Sequence, residues 1–242
     1  MSKKIISIYG THAVLAALNN SRRDHKRLWL TEKSQGAFSK FLSHVPYKIT
    51  DDKTLATMIS KGAVHQGVVL ETSALEDLSL EDIVDSLGEE ACVVVLDQVT
   101  DPQNLGAILR SCAAFQVDAL IVPEHHSPDF EGTIAKVASG ALEQVPVLRV
   151  MNLSRALEFL KGHNFWCYGF AEEGKNVLGT YEISGRVALL FGAEGEGLRR
   201  LTKENCDVLI KLPTSKKFTT LNVAQTVSIA VFQVQKQKTF LL

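Results

Sequence analysis

The sequence predicts an α/β protein in two parts, and three observations carry that prediction. From residue 91 onward, short continuous apolar runs alternate with segments of helical periodicity, as in a parallel sheet covered by helices on both faces. Before residue 76 a shorter version of the same alternation appears. Between the two lies EDLSLEDIVDSLGEE, residues 76–90, which holds seven acidic residues and no base. The expected division is a domain over 1–75, an acidic linker over 76–90 and a second domain over 91–242.

In the first part, HAVLAALNN reads as a helix, RLWLT as a strand, SKFLSH as a short helix and GVVLET as a strand. In the linker, Ser79 followed three residues later by Asp82 resembles a capping box, and Gly88 is a plausible stop, so a short helix is expected there. In the second part, ACVVVLDQV (91–99) is a continuous apolar strand and NLGAILRSCAAF a helix. ALIVP, a helix around 130–139, VPVLRV, a helix at 153–161, WCYGFA, VALLF, a helix at 198–205, DVLIKL and a long helix from about 221 follow. In such sheets, ligands bind in the loops that follow the carboxyl ends of the strands.

Composition narrows the class. The chain is 45% hydrophobic and 22% charged, as in an ordinary soluble globular protein. No apolar run approaches the roughly 20 residues of a membrane span, and the basic start MSKK is not followed by a long apolar region, so a cytoplasmic protein is expected. Cys92, Cys112, Cys167 and Cys206 are widely spaced, with no C-x-x-C and no nearby His pair, which points to reduced structural cysteines and no metal site.

The net charge of −1 conceals an asymmetry. Residues 1–75 carry eleven Lys/Arg against five Asp/Glu, and residues 76–242 carry fifteen against twenty-two. A basic first part meeting a polyanion is one reading, and a solvated basic face is the other. The densest basic cluster is SRRDHKR, with Arg22, Arg23, Lys26 and Arg27 as candidate RNA contacts. Trp29 beside it reads either as a stacking partner or as core.

Three loops carry candidate chemistry. In LDQVTDPQNLGAILRSC, Asp101 and Pro102 form an N-cap and N1 pair. Leu105, Ile108, Leu109, Cys112 and Ala113 then make a buried stripe. Arg110 falls off that stripe, beside Gly106, Ala107 and Ala114, where it either serves a ligand or pairs with a surface acid. Asn104 lies in the first turn. In ALLFGAEGEGLRRL, both the dinucleotide fingerprint and the Walker pattern fail, because the third glycine would fall on Arg200 and no Gly-Lys-Ser/Thr follows. Glu194 and Glu196 would repel a phosphate, so a neutral or cationic ligand suits this turn. Alternatively they are favourable first-turn charges on the helix that follows. In LPTSKKFTTLNVAQTVSIA, a strand ends at Pro213 and a loop with Lys216 and Lys217 leads to a helix striped by Val223, Val227, Val231 and Val234. Thr219, Thr220 or Asn222 is expected to cap it.

These loops together resemble the three motifs of the SpoU/TrmH family of RNA ribose 2′-O-methyltransferases, within the SPOUT class. The matching stretches are DPQNLGAILRS, then FGAEGEGL with CDVLIKLP, then TLNVAQTVSIA, and KVASGALEQVPVLRVMNL extends the likeness over nearly all of 91–242. In the first part, IYGTHAVLAAL and AVHQGVVL resemble the substrate-binding domain of the subgroup that methylates a guanosine ribose in 23S ribosomal RNA.

The resemblance implies an L30e/L7Ae-like first domain and a deep trefoil knot in the second. It also implies S-adenosyl-L-methionine bound in that knot, a homodimer with sites near its interface, ribosomal RNA as partner, and neither membrane nor metal. Carried over, Gly192, Ala193, Gly195, Leu212, Thr220 and Leu221 would line the cofactor site, with Thr220 where the family usually has Ser and Lys216 where a Gly is common. Asn104, Arg110, Glu194 and Asn222 would form the polar catalytic group, with Arg110 of the dimer mate as one way to complete it. The alternatives are transfer RNA as target, or a catalytically silent RNA-binding protein of the same fold.

Overall fold

The computed structural model describes residues 3–125, 130, 132–215, 217 and 219–239. It divides into two compact units, Met1–Glu76 with Asp129–Gln144, and Asp77–Pro128 with Val145–Leu242.

In the first unit, β1 (Ile5–Tyr9) leads to α1 (Thr11–Leu18) and β2 (His25–Leu30). A 3₁₀ helix (Glu32–Phe41), β3 (Tyr47–Ile49), α2 (Asp52–Thr57) and β4 (Val68–Ser73) follow. The sheet order is β1-β4-β2-β3, antiparallel except for β2 with β3. The short helix expected at SKFLSH is instead the end of the 3₁₀ segment, which starts seven residues earlier, at Glu32. Its alternation of charged and small residues gives no continuous apolar stripe to favour an α-helix.

The two sequence motifs of this unit explain each other. No side chain of Gly10 can cap α1, and the Gln66 side chain does so from 55 residues away, its Oε1 accepting from Thr11 N at 3.0 Å. Gln66 adopts φ 55° to present that oxygen, and Gly67 after it has φ 77°.

In the second unit the chain runs through α3 (Leu80–Ser86), β5 (Cys92–Asp97), α4 (Pro102–Ala114) and β6 (Ala119–Pro123). α5 (Thr133–Val137) comes next in sequence. Then come β7 (Val147–Val150), α6 (Leu153–Gly162), β8 (Trp166–Phe170) and β9 (Asn176–Val177). β10 (Val187–Gly192), α7 (Arg200–Glu204), β11 (Val208–Lys211) and α8 (Val223–Thr239) complete it. All pairings in the seven-stranded sheet, ordered β7-β6-β5-β10-β8-β11-β9, are parallel. The continuous apolar runs are therefore buried on both faces: every residue of β5 is buried, as are Val187–Phe191 of β10.

Two expectations need correction. The acidic stretch 76–90 is not a free linker, because Leu80 and Val84 of α3 are buried in the same cluster as Val93, Val95, Ala188 and Leu190. Its helix forms as expected, capped by Ser79 accepting from Asp82 N at 3.0 Å, but its apolar side is needed by the sheet. The helix expected around 130–139 does form, yet it packs with the first unit, where α5 meets β1 and α1. Tyr9 Oη lies 3.3 Å from Thr133 Oγ1. Helix periodicity reports an apolar face and says nothing about which sheet receives it.

No disulfide joins the four cysteines, and Cys92, Cys112 and Cys167 are buried. Burial pushes the Cys167 and Cys206 thiols up to about 12 and that of Cys112 higher still, which keeps them protonated and inert.

Candidate active site

The sheet places its loops around a reversal of strand order. From β5 the chain proceeds outward to β6 and β7, then returns to the other side of β5 with β8, β10 and β11. β5 and β10 are neighbours, with Gly192 opposite Asp97 at their carboxyl ends. Such a switch point is where an open α/β sheet leaves a crevice.

Asp97 fixes one wall. The carboxylate is 1% exposed. It accepts from Arg199 Nε at 2.7 Å, Arg199 N at 3.0 Å and Thr202 Oγ1 at 2.6 Å. A buried charge is tolerable when it is paired and hydrogen-bonded in this way. Asp97 thereby anchors the segment after the glycine turn, a role the sequence reading missed. The available signal was an acid closing an otherwise apolar strand.

The turn itself is tight. Gly197 N donates to Ala193 O at 2.9 Å, and Gly195 and Gly197 adopt φ 82° and 67°. A Cβ on Gly192 would lie 2.0 Å from Gly197 C and 2.2 Å from Leu198 N. Gly192 is thus required by the turn folding back on its own strand. α7 begins only at Arg200, so Glu194 and Glu196 are not first-turn charges on that helix. Glu194 instead serves the start of α8, where its Oε1 accepts from Val223 N at 3.4 Å, a favourable place for a carboxylate.

The same oxygen gathers two side chains. Asn222 Nδ2 donates to it at 2.6 Å and Asn104 Nδ2 at 3.2 Å, while Asn222 Nδ2 also donates to Asn104 Oδ1 at 2.8 Å. Each asparagine is held by its helix. Asn222 caps α8, accepting from Ala224 N at 2.8 Å. Asn104 sits in the first turn of α4, with Asp101 accepting from its backbone N–H at 3.1 Å. Three of the four residues expected to form the polar group therefore meet within one chain. Glu194 Oε2 has no hydrogen-bond partner among the described residues.

Arg110 does not join them. It lies six residues beyond Asn104 on α4, which is about 9 Å along the axis and about 120° around it. It is exposed and makes no hydrogen bond or ion pair with any described residue. Beside its helix, α8 packs on α4 through Ser111 Oγ and Ser228 Oγ, 2.6 Å apart. Ile229 and Phe232 on the outer side of α8 are 44% and 46% exposed.

The loops after β8, β10 and β11 enclose a cavity of about 1000 Å³. All six residues expected to hold a cofactor, Gly192, Ala193, Gly195, Leu212, Thr220 and Leu221, line it, together with Glu194 and Asn222. Lys216 lies outside the described residues. Among the described residues, no cluster of three metal-ligating side chains occurs, and no helix is long and apolar enough to cross a membrane.

The candidate RNA contacts behave differently. Arg23 is buried, with Nε and Nη2 each donating to the Glu143 carboxylate at 2.8 Å and Nη1 to Ser73 O at 2.7 Å. It is a structural ion pair, and expecting it at an RNA surface was wrong because sequence cannot reveal a partner 120 residues away. Arg22 is exposed, with Nη2 donating to Glu143 O at 2.6 Å. Lys26 and Arg27 are exposed. Trp29 is neither free nor fully core: its indole N–H donates to Glu71 at 2.8 Å, and it packs against Tyr9, Leu55 and Val69. Arg27 and Lys48 lie 5.4 and 5.3 Å from its ring centroid.

Two family models match the chain. Residues 91–232 match the family model described as the SpoU rRNA methylase family, and residues 7–78 match the RNA 2′-O ribose methyltransferase substrate-binding model. The chain is 38% identical over 248 residues to the 23S rRNA (guanosine-2′-O-)-methyltransferase RlmB of Escherichia coli K12, covering 96% of this chain and 98% of that one. It is 37% identical to the protein of the same name from Xylella fastidiosa, covering 99% of both. Among solved structures, the SpoU methyltransferase AviRb from Streptomyces viridochromogenes in complex with AdoMet superposes with a TM-score of 0.83 at 19% identity, over 97% of this chain and 90% of that one. An AdoMet-bound rRNA methyltransferase from Sinorhizobium meliloti gives 0.78 at 21%, over 97% and 88%.

Proposed function

The chain belongs to the SpoU rRNA methylase family, and from that premise we propose that it is an S-adenosylmethionine-dependent enzyme that methylates the 2′-oxygen of a guanosine ribose in 23S ribosomal RNA. The observation that carries this reading is the convergence of Asn104, Glu194 and Asn222 beside the glycine-turn cavity.

The cavity suits the cofactor on the structure's own terms. Its volume, about 1000 Å³, lies at the upper end of small-molecule sites, ~300–1000 Å³. Gly192, Ala193 and Leu212, which line it, would meet the neutral adenosine, and Glu194 favours positive over negative charge nearby. When bound, S-adenosylmethionine supplies a methyl group made electrophilic by its sulfonium. Asn104 and Asn222 hold Glu194 in one orientation, leaving Oε2 to accept a hydrogen bond from the incoming ribose. Holding the reacting groups in place can supply as much as ~7–11 kcal/mol of such a barrier.

The proposal includes a homodimer, supported by the exposed apolar face that Ile229 and Phe232 form on α8, with Arg110 on the neighbouring helix. Arg110 of a second copy would complete the site, gripping a phosphate and stabilising the 2′-oxygen as its proton leaves to a phosphate oxygen or water. A guanidinium stays protonated, so it acts as an electrostatic stabiliser. The knotted path of the last strand, loop and helix, a cytoplasmic location, and RNA binding by Lys26, Arg27 and Arg22 belong to the same proposal.

The test is transfer of labelled methyl from S-adenosylmethionine to unmodified 23S rRNA, read as 2′-O-methylguanosine by mass spectrometry. Label appearing only in transfer RNA, or cofactor binding with no transfer, would overturn the rRNA assignment. Arg110→Lys is expected to lower kcat by about 100-fold, the scale of one lost transition-state donor, and near-normal kcat with weaker RNA binding would remove its catalytic role.

A further inference from the structure

We propose that the ion pair of Glu173 with Lys203 is a subsite for the zwitterionic amino-acid end of the methyl donor, an assignment that rests on the cofactor reading above. Both residues line the cavity that Gly192 and Asn222 line. Among the described residues of that wall, theirs is the one ion pair.

The two charges stand on separate rigid supports. Glu173 sits in the turn after β8, where Ala171 N donates to Ile210 O and Gly174 N to Ala171 O, both at 3.0 Å. The turn is pressed against β11, since a Cβ on Gly174 would lie 2.7 Å from Ile210 C and 2.9 Å from Lys211 N. Lys203 is on α7, which Asp97 holds through Arg199 and Thr202. Neither charge depends on a flexible loop for its position. The side chains of Glu173 and Lys203 remain 54% and 31% exposed, so the pair is open to a ligand.

Charge matching selects the ligand part. A neutral group can hydrogen-bond to one pole but balances neither charge, and a lone cation or anion is drawn to one pole and repelled by the other. An α-amino acid carries an ammonium and a carboxylate on one carbon and can meet both poles together. In the methyl donor the adenosine is neutral and the sulfonium carries one sign, so the amino-acid end alone offers both. Lys203 would take the carboxylate and Glu173 the ammonium.

Titration calorimetry on the full-length chain with three ligands separates this role from wall-building. S-adenosylhomocysteine has the whole amino-acid end, decarboxylated S-adenosylmethionine keeps the ammonium alone, and 5′-methylthioadenosine lacks both. Lys203→Met is expected to weaken S-adenosylhomocysteine about tenfold or more while leaving the other two within about twofold. Glu173→Gln is expected to weaken S-adenosylhomocysteine and the decarboxylated compound and to spare 5′-methylthioadenosine. Loss of all three ligands alike, or of none, in both variants would overturn the subsite and leave the cofactor reading standing. A wild-type chain that binds none of the three would overturn both.

Discussion

Two carboxylates, Glu143 in the first unit and Glu194 in the second, are each gripped by donors far away in sequence, and they differ in what they leave over. Glu143 is sealed: its side chain is 6% exposed, and both its oxygens are taken by Arg23, with Asn20 Nδ2 adding a third donor at 2.6 Å. Glu194 is exposed, with one oxygen taken by Asn104, Asn222 and Val223 N and the other open. A carboxylate with no capacity left holds chain segments together. One held firmly on a single side is positioned and still available, which is what a reaction needs.

The largest effect that sharpens this contrast is expected from Arg23→Ala. It leaves Glu143 buried without its counter-charge and should cost about 3–5 kcal/mol of stability, read by denaturant unfolding. Next, Glu194→Ala should lower kcat by about 100-fold to 1000-fold with an almost unchanged unfolding midpoint. A large loss of stability there, or a mild one for Arg23→Ala, would erase the distinction. A smaller effect is expected at the basic surface, where Arg27→Ala with Lys48→Ala should weaken RNA binding and flatten its salt dependence by a slope of about 1–2, with cofactor binding unchanged. Arg23→Lys should leave that slope alone, since Arg23 is not offered to solvent.

The smallest effect concerns His25, whose Nδ1 lies 3.1 Å from Thr72 Oγ1. Burial, helped by the nearby Arg23 charge, holds its pKa below the ordinary 6.5, against smaller opposing contributions from a backbone hydrogen bond with Leu18 and from the Glu143 and Asp24 carboxylates. As the pH falls, the unfolded chain takes the proton first. The stability present above about 6.5 is therefore lost as the pH drops through the lower folded value. His25→Gln should flatten that part of a plot of unfolding midpoint against pH.

Much of the second unit was legible because its signals are local. Apolar runs gave the strands, and Asp101 with Pro102 gave the start of α4. The convergence of Asn104, Glu194 and Asn222 came from motif resemblance, since nothing in their separate loops specifies that they meet. Helix-start electrostatics was only an alternative for Glu194 and Glu196, on the helix that follows them, whereas Glu194 serves the start of α8, which reaches the turn only through tertiary packing. Arg23 shows the opposite failure. Within SRRDHKR it is indistinguishable from its neighbours, and only a partner 120 residues on removes it from the surface. The first turns of the 3₁₀ segment and the two-residue β9 carry too little pattern to be read.

The grip of Arg23 on Glu143 has a practical corollary for dissecting or recombining such proteins. A cut after residue 75 would part Tyr9, Asn20 and Arg23 from Thr133 and Glu143, so the shortened remainder would carry an orphaned acid and a bare helix. Exchanging the first unit between relatives would accordingly mean transplanting 129–144 along with everything before residue 77, two separate stretches moved as one cassette.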